Sequence, residues 1–140
     1  MRIEDRIEIT ELIDRFFLAL DDGTVGEDWV RSQYTEDVRS EAPVYTAVGH
    51  DEVLANTREA IGRFERTQHV GSNYVIDFDG DDKARVRGNT IMTHVHKDRP
   101  EAFTVGGTFD NDLVRTPEGW RVSKTAMRVI WTSGEPPRLG

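Results

Sequence analysis

Between about Gln68 and Trp131 the chain is a nearly unbroken succession of long strand-like segments joined by short turns. Segments covering about residues 68–79, 84–96, 102–115 and 120–131 are rich in β-branched and aromatic residues. They are separated by Gly80-Asp81-Asp82, by Lys97-Asp98-Arg99-Pro100 and by Thr116-Pro117-Glu118-Gly119, which read as turns and a loop by composition. Four such strands in sequence must lie antiparallel and must bury one face. The first half of the chain supplies the cover. Ile9, Leu12, Ile13, Phe16, Phe17 and Leu20 recur at three- and four-residue spacing and predict an amphipathic helix over about Ile3 to Leu20, ended by Asp21-Asp22-Gly23-Thr24. A short helix is predicted from Glu27 to Tyr34 around Trp29, a short strand over Val38 to Tyr45, and a third helix from Glu52 to Phe64. Helices in one block and strands in another predict an α+β fold rather than alternating α/β units. The expected architecture is a cone-shaped, curved mixed β-sheet, a partly closed barrel wrapped around the N-terminal helices, with a cavity between the layers.

At 140 residues this is one domain's worth of chain, expected over residues 1–134, with 135–140 as a flexible C-terminal tail carrying Pro136 and Pro137. There is no cysteine, which excludes disulfides, thiolate metal sites and cysteine nucleophiles. The formal net charge of -8 argues against a nucleic-acid partner, because phosphate backbones repel an acidic surface. No apolar run approaches the ~18 residues of a membrane span, and the start Met-Arg-Ile-Glu-Asp-Arg is unlike a signal peptide, so a cytoplasmic location and no membrane partner are the expectations.

Four histidines are the groups that titrate near neutrality without help. His50, beside Gly49 and Asp51, reads as a surface or capping residue at a helix start. His69 opens the first long strand. Alternation places Val86, Gly88, Thr90, Met92, His94 and His96 on one covered face of the next strand, with His96 at the strand end near solvent. His94-Val95-His96 with His69 also suggests a metal site, but no glutamate or further histidine stands at an obvious spacing to complete it. Asp22 before Gly23 is a turn residue. Asp21 differs, because it continues the apolar stripe of Phe17 and Leu20 toward the cavity despite the unfavourable end of the helix dipole.

Arg66-Thr67-Gln68-His69 followed by a strand, Ile91-Met92-Thr93-His94, and Leu20-Asp21 ahead of Trp29 resemble the two histidine segments and the Tyr-Asp pair of scytalone dehydratase. Gly106-Gly107-Thr108-Phe109 through Arg115, Glu118-Gly119-Trp120-Arg121-Val122 and Val129-Ile130-Trp131 resemble the final strands of SnoaL-like domains. The chain thus resembles the SnoaL-like and scytalone dehydratase-like members of the nuclear transport factor 2-like superfamily over nearly its whole length. The resemblance implies a dehydratase, isomerase or cyclase acting without a cofactor on a small apolar molecule, polyketide-, aromatic- or terpenoid-like, with Asp21, His69 and His94 as catalytic residues. Phe17, Tyr45, Asn73, Met92, Phe109 and Arg128 are the expected substrate-binding residues. For Arg128 a stem lying on the sheet with its head in water is the competing reading. Leu20 stands where the family member has a pocket tyrosine, Ala42 near a second one with Tyr45 close by, and Phe109 where an asparagine is expected, so the pocket walls are more apolar here.

A non-catalytic binding or assembly module of the same fold is the alternative, and a metal-dependent enzyme using His69, His94 and His96 is a third reading. A pair formed by Asp21 and His69 inside a pocket favours the enzyme. A pocket filled by Phe16, Phe17 and Ile130 favours the module. Tyr74, Ile76 and Phe78 alternate away from His69, as Val129 and Trp131 do on the last strand. This apolar outer face predicts a homodimer or a small homo-oligomer.

Overall fold

The structure, a computed structural model, describes residues 3–43 and 45–137. Helix α1 (Ile3–Asp22) buries Ile9, Ile13, Phe17 and Leu20, the predicted stripe. It closes in a Schellman motif: the Gly23 amide donates to the Leu20 carbonyl and the Thr24 amide to that of Ala19, with Gly23 left-handed at φ 70°. That cap fixes where the chain leaves the helix, and Asp21 lies in the turn it fixes. Helix α2 (Glu27–Gln33) is anchored by buried Trp29 and Val30. Helix α3 (Gly49–Gly62) buries Val53 and Leu54.

The single strand expected over Val38 to Tyr45 is two strands, β1 (Tyr34–Ala42) and β2 (Tyr45–Val48), folded back on each other. The four long strands follow as β3 (Arg66–Asp79), β4 (Lys83–Val95), β5 (Ala102–Thr116) and β6 (Gly119–Ser133). They form one mixed six-stranded sheet in the order β2-β1-β6-β5-β4-β3, curved and not closed. Only the β1–β6 pair is parallel; β3 to β6 pair antiparallel in sequence order. The helices cover the concave face. Trp120, fully buried, ties α1 to the sheet: its indole N–H donates to Asp5 and its backbone amide to Glu8. No helix among the described residues is long and apolar enough to cross a membrane.

Bulges curl the sheet and reset which side chains face in. The β3–β4 register shifts between Ser72 and Val75, and Asn73 in that stretch is left-handed at φ 59°. The shift reverses strand parity. Tyr74, Ile76 and Phe78, expected on the outer face, therefore face inward: Ile76 is in the core, Tyr74 donates to Asp14 of α1, and Phe78 meets Trp120 edge-on. On β6 a second shift pairs Trp131 with Gly106 but Val129 with Gly107, leaving Ile130 extra. Val129 and Trp131, expected on one face, are thereby split between inner and outer faces.

His96 corrects another expectation. It is buried at 5% exposure rather than near solvent, against Phe64 and with Nε2 2.8 Å from the carbonyl oxygen of Glu135. Residues 135–137 of the expected tail make contacts with the domain: that bond to Glu135, an ion pair of Arg99 with Glu135, and Pro137 at the cavity wall. Residues 138–140 of the expected tail are outside the described residues.

Candidate active site

Asp21 and His69 come together across the α1–β3 contact. His69 Nδ1 stands 2.7 Å from Asp21 Oδ1, and the His69 backbone amide donates to Oδ2 at 2.8 Å. The Thr67 hydroxyl adds a third donor to Oδ1 at 2.9 Å. Thr67 and His69 are two apart on one strand face, so a single carboxylate at the helix end meets both. The two side chains are largely buried, 6% exposed for His69 and 16% for Asp21. A carboxylate can only accept, so His69 Nδ1 carries a proton, and in the neutral ring Nε2 is left as a lone pair. The ring is further held by stacking on Phe17, 6.0 Å between centroids.

His94 projects from β4 next to this pair, its ring edge-on to that of His69 at 5.9 Å. Its Nδ1 donates to the Phe103 carbonyl oxygen at 2.9 Å, which again leaves Nε2 unprotonated in the neutral ring. Burial pushes the His94 pKa below histidine's ordinary value. The bond to Phe103 opposes that shift, and the neighbouring His69 reinforces it.

His69 and His94 line a cavity of about 410 Å³ between α1, α3 and the concave sheet. Phe17, Tyr45, Met92 and Phe109 line it as well. Phe109 packs edge-on to Phe17 at 5.9 Å, and Gly88 makes this possible: a Cβ there would lie 2.6 Å from the tip of the Phe109 ring. Phe16 also lines the space without filling it, and Ile130 is exposed outside it.

Two expected binding residues lie elsewhere. Asn73 is in the β3 bulge on the outer face, its amide oxygen taking hydrogen bonds from Ser72 and Asn89. Arg128 is exposed, on the opposite side of β6 from the cavity-lining Met127 and Val129. Neither lines the cavity.

The three histidines of the metal reading do not assemble: no cluster of three acidic, histidine or cysteine residues that could hold a metal occurs among the described residues, and His96 has its Nε2 on the Glu135 carbonyl oxygen. His50 is half-buried at the start of α3, with Nε2 3.0 Å from the Tyr34 carbonyl oxygen.

Sequence reasoning passed over several cavity residues. Thr90 has a buried hydroxyl with no hydrogen-bond partner among the described residues, on the same β4 face as His94, a face the alternation identified. Gln33, Tyr34 and Asn111 are polar residues in segments read only for their helix or strand character, and no local signal singles them out.

A family model for the SnoaL-like domain matches residues 1–126. An uncharacterised protein of Mycobacterium tuberculosis is 29% identical over 126 residues, covering 86% of this chain and 82% of that protein. Among solved structures, a candidate scytalone dehydratase from Novosphingobium aromaticivorans superposes with a TM-score of 0.88 at 23% identity, covering 98% of this chain and 91% of that one. Hexachlorocyclohexane dehydrochlorinase LinA-type3 from Novosphingobium barchaimii gives 0.83 at 18% identity, covering 99% and 93%. A nuclear transport factor 2-like superfamily protein from Salmonella enterica gives 0.83 at 17%, covering 96% of each chain. At these identities the structural likeness is one of fold.

Proposed function

The chain belongs to the SnoaL-like domain family and has the nuclear transport factor 2-like fold, and from that premise we propose that it is a cofactor-independent acid–base enzyme, a lyase or isomerase, acting on a small, mostly apolar molecule. The observation that carries the reading is the Asp21–His69 hydrogen bond in the wall of an apolar cavity. The names of two fold neighbours, a dehydratase and a dehydrochlorinase, both denote elimination. The cavity's size and its Phe, Leu, Ile and Met lining suit a polyketide-, aromatic- or terpenoid-like substrate.

In this reading His69 Nε2 takes a proton from carbon, typically next to a carbonyl. Asp21 holds the ring in the Nδ1–H tautomer and stabilises the imidazolium that forms. The proton taken up is the one the reaction needs back. In a dehydration the C–O bond breaks and the departing hydroxyl leaves as water with that proton. In an isomerisation the proton returns to a different carbon. His94, edge-on beside His69, is the second proton-transfer group. Burial makes its protonated form a stronger acid than free imidazolium, so the acid-dependent limb of the rate should fall as pH rises past His94's lowered pKa. The apolar walls keep water from the enolate and strengthen each of these interactions.

The test is deuterium uptake from D2O at carbons next to the carbonyl in a panel of cyclic β-hydroxy ketones, with formation of the dehydrated product measured alongside. His69→Gln should lower the rate on the order of 10²–10⁴-fold. A His69→Gln variant that kept near wild-type rate, with His96→Gln losing it, would sink the assignment. The binding-module alternative has less support, because Phe16 and Phe17 leave the cavity open.

Assembly is part of the same proposal. Val70, Ile91, Gly106 and Trp131 stand opposite one another in a cross-strand row on the outer face, and the three side chains are exposed at 54%, 48% and 45%. A second copy of the chain is the partner that would cover them. Light scattering should report a dimer or small oligomer at micromolar concentration, and a monomer would refute this.

A further inference from the structure

The cavity has a second polar region that the proposed chemistry does not use. Gln33, Tyr34 and Asn111 all line it, and Gln33 and Tyr34 are buried at 3% and 6% exposure. Tyr34 is fixed by its neighbours: its ring is edge-on to Trp29 at 5.8 Å and to Phe16 at 6.4 Å, and its carbonyl is held by His50. Those contacts do not involve its hydroxyl. Among the described residues, neither the Tyr34 hydroxyl nor the Gln33 amide has a hydrogen-bond partner. Asn111 is half engaged: the Thr125 hydroxyl donates to its Oδ1, which leaves the amide N–H groups to donate elsewhere.

Tyr34 and Asn111 lie near each other on the concave face, and Gln33, the last residue of α2, directly precedes Tyr34. Tyr34 pairs with Val122, Val122 pairs with Leu113, and Asn111 is two residues before Leu113 on the same face of β5. Two residues along a strand are about 7 Å. The histidine end lies further off: His94 pairs with Phe103 and His69 with Met92, which pairs with Val105, so six to eight residues of β5 separate it from Asn111. No single small group reaches both ends. The intervening wall is apolar, with Phe17, Phe109 and Met127.

The Tyr34 hydroxyl, the Gln33 amide and the free N–H groups of Asn111 leave hydrogen-bonding capacity at one end of an otherwise apolar cavity, and a few polar groups so placed fix the orientation of what enters it. The groups are neutral. Of the acidic and basic residues that line the cavity, Arg63 is paired with Glu59 and Glu41 with Arg39 and Lys124. A carboxylate or phosphate at the Tyr34 end would be desolvated with no counter-charge.

We infer that the Tyr34 hydroxyl and the Gln33 and Asn111 amides form a distal subsite for a neutral hydroxyl or carbonyl oxygen, so that the substrate is an elongated, largely apolar molecule with a second oxygen function remote from the reacting one. The inference rests on the proposed function only for which end reacts. The subsite itself is a matter of binding.

A matched pair of probes tests it: flavanone, an apolar ketone, and 4′-hydroxyflavanone, which adds one neutral hydroxyl at the far end. Dissociation constants come from tryptophan fluorescence quenching or calorimetry, and deuterium uptake at C3 in D2O is followed separately. The native protein should bind the hydroxylated probe about 3- to 10-fold more tightly, the worth of one neutral hydrogen bond. Tyr34→Phe deletes one oxygen that no protein group uses, so the fold should survive it, and the ratio of the two constants should fall toward 1. Gln33→Met, similar in shape and without the amide, should lower it as well. A native protein that binds neither probe, or both equally, overturns the subsite, as does a preference that both variants keep. Failure of the catalytic reading looks different: the preference is present and depends on Tyr34, yet C3 uptake is no faster than in buffer and His69→Gln does not change it.

Discussion

Replacing Asp21 with Asn tests the site without knowledge of a substrate. The carboxylate takes three donors: the Thr67 hydroxyl and His69 Nδ1–H on Oδ1, and the His69 backbone amide on Oδ2. Asparagine has one acceptor atom. If its oxygen stays at the Oδ1 position, its NH2 group faces the His69 backbone N–H, two donors head to head with neither free to rotate away. The other orientation gives the backbone amide its acceptor and turns the NH2 group toward Thr67 and Nδ1. Threonine can rotate its hydroxyl to accept. His69 can accept only by moving its proton to Nε2. The second orientation therefore wins, and it places a hydrogen where the lone pair for proton abstraction stood. The substitution leaves the shape of the site unchanged and inverts the tautomer.

Two magnitudes follow. Turnover should fall on the order of 10²–10⁴-fold, as for a lost or misassigned general base. Stability should fall by about 1.5–3 kcal/mol, the scale of a hydrogen bond to a charged group, which for a chain of this length lowers Tm by roughly 3–10 °C. The decisive assay is long-range 1H–15N correlation of the histidine rings at pH 7.5, with His69→Gln used to assign the signals. The native protein should show His69 protonated at Nδ1, and Asp21→Asn should show it protonated at Nε2. A native His69 carrying its proton on Nε2, or a variant with an unchanged tautomer, would refute the reasoning.

His94 gives a pH dependence of stability. Its folded pKa lies below its unfolded value because burial disfavours the charged ring. Between the two values the unfolded chain binds more protons, so stability rises with pH across that window and is lost as pH falls from about 6.5 toward the lowered folded value. Thermal melts from pH 7.5 to 5 should show a smaller loss of Tm in His94→Gln than in the native protein, and an equal loss contradicts this. Gly88→Ala places a Cβ 2.6 Å from the Phe109 ring and 2.8 Å from that of Tyr74; overpacking there should cost about 1–3 kcal/mol in urea unfolding, and a variant of native stability would count against that contact. His96→Gln should lower stability by about 1–2 kcal/mol through its bond to the Glu135 carbonyl while leaving turnover within a few-fold, so a large activity loss at native stability would put His96 in the site.

Residue types and periodicity carried most of the fold. The stripe from Ile9 to Leu20 is buried as spaced, and the turn at Gly80 and the Schellman glycine at Gly23 stand where composition put them. Asp21 was legible for the same reason, as a polar residue continuing an apolar stripe one position before its cap. The bulges were not legible. Period-two alternation assumes an unbroken ladder, and one inserted residue reverses every side chain after it. Asn73, of a type that tolerates left-handed backbone, is the only local hint of the first, and an asparagine is no rare event in a strand. Ile130 gives no hint of the second. Tyr74, Ile76, Phe78 and Val129 were misassigned by that one mechanism, and Asn73 itself left the cavity with it.

What a sequence lacks most at a site like this is the position of protons. Asp21, His69 and His94 are recognisable as a candidate acid–base set from their types and places in the chain. Their roles depend on which ring nitrogen is occupied, and that is settled by groups of no sequence distinction: a backbone carbonyl at Phe103 and a backbone amide at His69 itself. Both histidines spend Nδ1 on an acceptor, so in the neutral site both Nε2 atoms are lone pairs and neither can donate. A carbonyl oxygen placed between them is unwelcome until one ring gains a proton. The other ring, edge-on to it with centroids 5.9 Å apart, then resists a second. In the proposed mechanism the pair holds one mobile proton, the quantity an elimination or an isomerisation moves from carbon to its destination, whereas a site needing two fixed donors would have oriented at least one of these rings the other way.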